Sequence, residues 1–225
     1  MKPETLSVAI DKTLQAHEQW SHRTLASRLA ILEAAAASLD SPLATWVLER
    51  ISKEMPYETL LPGPTGEANS LHWEGRGVVA VLRDETAASA AYIAQLFTAL
   101  ATGNVAIIQV GELALHVAQA LQTAGLPEGV LQITEADTDQ LAAHPAFAGY
   151  AFSGSSATAS VLNRKISHRD GCLAQLISET DPLNFSLITS QDYPWRFVTE
   201  STLSINTTAV GGNATLLELG GKTDG

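Results

Sequence analysis

The chain is poor in cysteine: Cys172 is the single one among 225 residues. One thiol excludes an internal disulfide and any structural zinc site built on several thiolates. Positive charge is also scarce, with 13 Lys and Arg against 24 Asp and Glu and a formal net charge of -11. That balance argues against a surface for nucleic acid or an anionic membrane, where basic side chains must neutralise phosphates. No run approaches the roughly 18 apolar residues of a membrane span. The opening stretch MKPETLSVAIDK lacks the apolar segment of a secretion signal, so a cytoplasmic location is expected. The six histidines are scattered. His17 and His22 lie five apart and the others sit in separate segments, which matches no metal-ligand spacing, and no metal is expected. Aromatics are few, at 6%. Trp20, Trp46, Trp73 and Trp195 are expected to anchor packing or an interface rather than to form a stacking platform.

What is present describes a folded domain: 45% hydrophobic and 16% charged residues over a length sufficient for one core with a small appendage. Residues 1–60 read as a helical segment. Leu6, Ile10 and Leu14 recur at intervals of four, Leu25, Leu29, Leu32 and Ala36 mark a second face, and Ser41-Pro42 places a cap and a first-turn proline before Trp46, Val47 and Ile51. Pro56 ends that helix, and no strand pattern is visible before residue 78. LPGPTGEAN opens an ordered, turn-rich connection over 61–76.

From 77 to 182 strands and helices alternate. Strands are expected at 78–82, 105–110, 130–133, 150–152 and 173–177. The helices between them are closed by Gly103 and Gly125, among others. The pattern predicts an α/β fold with a Rossmann-like, doubly wound, mostly parallel sheet. Residues 183–225 form a tail, with strands expected at 185–188 and 203–206, a helix at 195–202, and a final segment that adds to a sheet edge or an interface.

Three places offer chemistry. In FSGSSATA, Gly154 and Ser155 stand between a strand and a helix, where N–H groups and a positive dipole end favour an anion. The plain reading is a tight turn and a helix cap; the functional one is a diphosphate site. In IIQVGELA, Gln109 and Glu112 occupy a strand end where a ribose-binding side chain belongs, although Glu112 also suits a helix's first turn. Glu179, after an apolar strand, has the place of a general base. Its nucleophile is hard to find. Cys172 lies across a strand that separates its ends by roughly 17 Å, and no cysteine follows in the last 46 residues. Cys172 is expected to be a buried or half-buried apolar filler.

The order of HEQWSHRTLASRLAILEAAAASL, ATGNVAIIQVGE, AGLPEGVLQI, HPAFAGYAFSGS and LISETD resembles the aldehyde dehydrogenase superfamily up to residue 181. The resemblance assigns Glu179 to the general base, Gln109 and Glu112 to the adenosine ribose, and Gly154 and Ser155 to the phosphate turn of NAD. It also exposes departures. LRDETAAS lacks the family's oxyanion-hole asparagine, Gln109 replaces a lysine, and Asp181-Pro182 replaces a pair of glycines.

LPGPTGEAN and SINTTAVGGNATLL are similar to the C-terminal, non-catalytic aldehyde-dehydrogenase-like domain of long proline utilization A enzymes. This implies a protein that supports a proline-catabolic 1-pyrroline-5-carboxylate dehydrogenase module, or associates with itself, and carries no cofactor. In that reading the chain is either a separate gene product or part of a longer enzyme. The five site residues are then vestigial. The interface is expected over 204–217 and the turn at 61–67. The alternative is a 1-pyrroline-5-carboxylate-dehydrogenase-related oxidoreductase that binds NAD.

Overall fold

A computed structural model describes residues 2–56, 58–64 and 66–206. Three helices come first: α1 (Leu6–Ser21), α2 (Leu25–Ser38) and α3 (Pro42–Glu54). Thr24 caps α2 by accepting the Ser27 N–H, which satisfies one of the orphan donors of a first turn. Ser41 occupies the cap position of α3 beside Pro42, but its hydroxyl makes no capping bond.

Strands β1 (Glu58–Leu61) and β2 (Glu67–Gly75) follow, joined antiparallel with Glu58 opposite His72. Both precede residue 78, contrary to the sequence expectation. Their side chains are mostly exposed or half-buried, so neither carries the apolar run by which a buried strand is recognised.

The alternating part then runs β3 (Val78–Arg83), α4 (Ser89–Ala101), β4 (Val105–Gln109), α5 (Glu112–Thr123), β5 (Leu131–Thr134), α6 (Thr138–Ala143), β6 (Gly149–Ser153), α7 (Ser156–Ser167) and β7 (Gln175–Glu179). The five strands form one parallel sheet in the order β5-β4-β3-β6-β7. This is the doubly wound α/β arrangement expected from the sequence, with β3 at its centre. Helix α4 is buried along its length from Ala91 to Ala101, packed by the sheet and by α2 and α3. That explains why it is apolar almost throughout, with Gln95 and Thr98 buried and hydrogen-bonded. Gly103 ends it with φ near +89°. Asn104 N–H returns to the Ala99 carbonyl and Gly103 N–H to that of Leu100, the paired closure that a glycine in the left-handed region permits. Gly125 closes α5 in the same way. At the outer edge, Glu4 N–H donates to the Ile133 carbonyl at 2.9 Å, covering part of β5.

The end of the described chain differs from expectation. Residues 185–188 form no strand: 186–188 are turns, and Phe185 before them has φ +51°. The helix expected at 195–202 is a short 3-10 turn, Pro194–Phe197, followed by β8 (Val198–Asn206), the third strand beside β2. β7 starts two residues later than expected, so Glu179 is its last residue and Cys172 lies on the loop before it. Cys172 is exposed, not a core filler. Of the expected interface at 204–217, the part from residue 207 lies outside the described residues.

The chain divides into two compact units, one of Met1–Met55 with Gly75–Thr199, the other of Pro56–Glu74 with Glu200–Gly225. In the second, Ser204 Oγ donates to Asn69 Oδ1 at 2.5 Å, tying β8 to β2. Among the described residues no helix is long and apolar enough to cross a membrane.

Candidate functional site

In an open parallel sheet, ligands bind at the carboxyl ends of the strands, where the strand order reverses. Here that point lies between β3 and β6. The register aligns Arg83, Ser153 and Glu179 in one row across β3, β6 and β7, with Gln109 beside Thr134 on the other side. All the residues singled out from the sequence except Cys172 therefore lie along one end of the sheet. Cys172 and Glu179 are at opposite ends of β7.

Glu179 is 3% exposed and both oxygens of its carboxylate accept hydrogen bonds. Oε1 accepts the Asp181 N–H at 2.8 Å, and Oε2 accepts those of Leu187 and Ile188 at 2.9 and 3.0 Å. A general base must offer a lone pair to a reacting proton; these bonds direct the carboxylate at the chain's own backbone. Asp181 organises the same loop by accepting from the backbone N–H groups of Leu183 and Asn184 and the hydroxyl of Ser186. Those bonds, the Ser186 hydroxyl first, hold its carboxyl well below the usual carboxylate range. Burial holds the nearby Tyr193 hydroxyl well above its ordinary value, and the charge of Glu179 acts in the same direction.

The turn before α7 holds a residue that sequence reasoning missed. Ser155 is the N-cap and its Oγ accepts the Thr158 N–H at 3.1 Å, as the plain reading has it. The Ser155 N–H, however, donates to Asp84 Oδ2 at 2.9 Å. The other oxygen of Asp84 accepts the Thr86 N–H at 2.8 Å and the Thr86 hydroxyl at 2.6 Å. A Cβ on Gly154 would overlap the Asp84 carboxyl, so glycine is what lets the carboxylate reach the turn. Burial pushes the Asp84 carboxyl up, but hydrogen bonds from Thr86, Ser155 and Thr158 outweigh it and set it at about 2. The available signal was an acid followed two residues later by Thr at the end of the first apolar strand, a turn pattern in its own right.

Gln109 and Glu112 line a cleft of about 610 Å³ together with Arg83, Asp84 and Tyr92. Gln109 is tied to its surroundings, with Nε2 donating to the Ala136 carbonyl at 3.1 Å and Oε1 accepting from the Thr138 hydroxyl at 3.4 Å. Glu112 is exposed in the first turn of α5. A dinucleotide needs free donors for its diphosphate and unengaged side chains for its ribose. The residues present do not fit it: a carboxylate already occupies the turn, and the Gln109 amide is bound to the backbone. No group of three or more metal-ligating side chains occurs among the described residues.

Comparison with known proteins places this geometry. The aldehyde dehydrogenase family model matches residues 42–191. The chain is 30% identical over 211 residues to N-succinylglutamate 5-semialdehyde dehydrogenase of Pseudomonas fluorescens (strain Pf0-1), covering 78% of this chain and 43% of that protein. It is similar to a crystal structure of a point mutant of Bradyrhizobium japonicum proline utilization A, with TM-score 0.68 and 26% identity over 80% of this chain and 22% of that one. Indole-3-acetaldehyde dehydrogenase in its apo form shares the fold, with TM-score 0.64 and 22% identity over 77% of this chain and 49% of that one. The chain thus spans less than half the length of these relatives. Its family model, its relatives and its fold agree, and the chain belongs to the aldehyde dehydrogenase family.

Proposed function

We propose that this chain is a non-catalytic aldehyde-dehydrogenase-like unit that supports a proline-catabolic 1-pyrroline-5-carboxylate dehydrogenase, by docking to it or by self-association. The observation that carries the reading is the engagement of Glu179: the side chain in the general-base position is buried and accepts three backbone N–H groups. The filled turn at Ser155 and the bound amide of Gln109 support the same conclusion for the nucleotide. The likeness to proline utilization A supports the choice of partner. Calorimetric titration with NAD, together with co-purification against 1-pyrroline-5-carboxylate dehydrogenase, tests it. The expected result is no NAD saturation and either a retained dehydrogenase or a self-associated chain; saturation at micromolar NAD, or a monomer that loses the dehydrogenase on washing, overturns it.

A second reading, a NAD-binding oxidoreductase related to 1-pyrroline-5-carboxylate dehydrogenase, is favoured by one feature. The cleft beside β3 and β4 persists and is still lined by Gln109 and Glu112. Turnover of an aldehyde with NAD reduction by the isolated chain would establish that reading in place of the first.

A further inference from the structure

We infer that Asp84 is a built-in anion, a side-chain carboxylate seated at the N-terminus of α7 in the place of a diphosphate and closing that position to external phosphates. The inference deepens the non-catalytic reading and rests on it. Three features converge. The carboxylate is already bound, receiving the Ser155 N–H at 2.9 Å and both donors of Thr86. Gly154 leaves the space a Cβ would fill, and the carboxyl group takes that space. Asp84 also lines the neighbouring cleft of about 610 Å³ together with Arg83, so the residue seated at the turn borders a void of ligand size.

The electrostatic logic follows from the helix end. α7 is 12 residues long, and its first N–H groups and dipole favour a negative charge. An incoming phosphate must expel a carboxylate already tethered to the same chain, which competes without loss of translational freedom. Arg83, its guanidinium 5.8 Å from the centre of the Tyr92 ring, brings one positive charge to the cleft, opposed there by the carboxylate of Asp84. Glu85 and Glu112 line the same cleft and add negative charge against an anion.

Two measurements on the full chain at neutral pH test the inference. The first is amide hydrogen exchange at Ser155, whose N–H has no partner in its own helix. It should be protected in the wild type and exchange at least tenfold faster in Asp84→Leu, a variant of similar size with no acceptor. The second is calorimetric titration with inorganic pyrophosphate. The wild type should show no saturation, while Asp84→Ala should bind at least tenfold more tightly.

An unprotected Ser155 amide in the wild type overturns the inference, whatever becomes of the variants. A folded Asp84→Ala that leaves pyrophosphate unbound overturns it while leaving the non-catalytic reading intact. Saturation of the wild type by NAD sinks both. If Asp84→Ala fails to fold, the exchange contrast between wild type and Asp84→Leu decides.

Discussion

Oε2 of Glu179 accepts the backbone N–H of Ile188, nine residues further along, at 3.0 Å. With the bond from Leu187 to the same oxygen and that from Asp181 to Oε1, the carboxylate holds the whole turn after β7 in place. Glu179→Ala takes the acceptor from three N–H groups, that of Ile188 buried and those of Asp181 and Leu187 part-buried. At about 1 kcal/mol or more for each, the expected loss in unfolding free energy is about 3 kcal/mol by urea denaturation. Glu179→Gln, which keeps one acceptor oxygen, should lose about half of that. A change below about 0.5 kcal/mol for the alanine variant would show that the carboxylate is not bracing the loop.

Asn104 performs a comparable task at the other end of the sheet. It is fully buried. Its Oδ1 accepts the Gly77 N–H at 3.0 Å and its Nδ2 donates to the Phe197 carbonyl at 2.9 Å and the Thr102 hydroxyl at 3.0 Å. Asn104→Ala is expected to cost about 2 to 4 kcal/mol. Asn104→Asp should be worse, because it places an acceptor against the Phe197 carbonyl and buries a charge without a partner. Chemical denaturation of the two variants gives the order, and an aspartate variant as stable as the wild type would refute the assignment.

His17 sets a pH dependence. Burial first, and the charge of His22 second, lower its pKa from 6.5, and its Nε2 is buried with no hydrogen-bond partner. Once pH falls below 6.5 the unfolded chain takes up a proton that the folded chain resists. Stability therefore declines as pH drops through that value, and the penalty is complete once pH is below the lowered folded pKa. The urea midpoint should fall between about pH 7.5 and about pH 5.5, and the fall should be smaller in His17→Gln. Equal slopes in the two proteins would assign the effect to other groups.

Two glycines separate conformational strain from steric overlap. Both have positive φ, +92° at Gly125 and +87° at Gly129. A Cβ at Gly125 would meet nothing, whereas one at Gly129 would lie 2.7 Å from Ala16 Cβ and 2.9 Å from the Lys12 carbonyl oxygen. Gly125→Ala should cost about 1 kcal/mol, from backbone strain alone. Gly129→Ala should cost about 1 to 3 kcal/mol more, since α1 must shift to admit it. Thermal melts of the two variants suffice for the comparison.

The parts of the fold legible in the sequence were those whose burial imposes a period. The helical faces around Leu29 and Leu32, the apolar run at Val78–Leu82 and the glycines ending α4 and α5 each record one dominant constraint. β1 and β2 were not legible because a largely solvated strand needs no apolar alternation. The segment after Glu179 was misread for a different reason. Its shape is set by the carboxylates of Glu179 and Asp181 capturing backbone N–H groups, and local propensity does not carry that information. The residues singled out for chemistry, Cys172 apart, fall along one end of the sheet, but Asp84 escaped because its partner, Ser155, lies 71 residues away.

The central place of β3 also has a temporal consequence. Val79 is paired with Ala106 on one side and with Gly149 on the other. As the chain leaves the ribosome at about 5 to 20 residues per second, the second partner follows the first strand by roughly 4 to 14 s. Over that interval β3 can gain only one neighbour, and its other edge is an apolar run open to any passing strand. The nascent chain therefore has a defined window of vulnerability to aggregation, which closes when β6 has emerged.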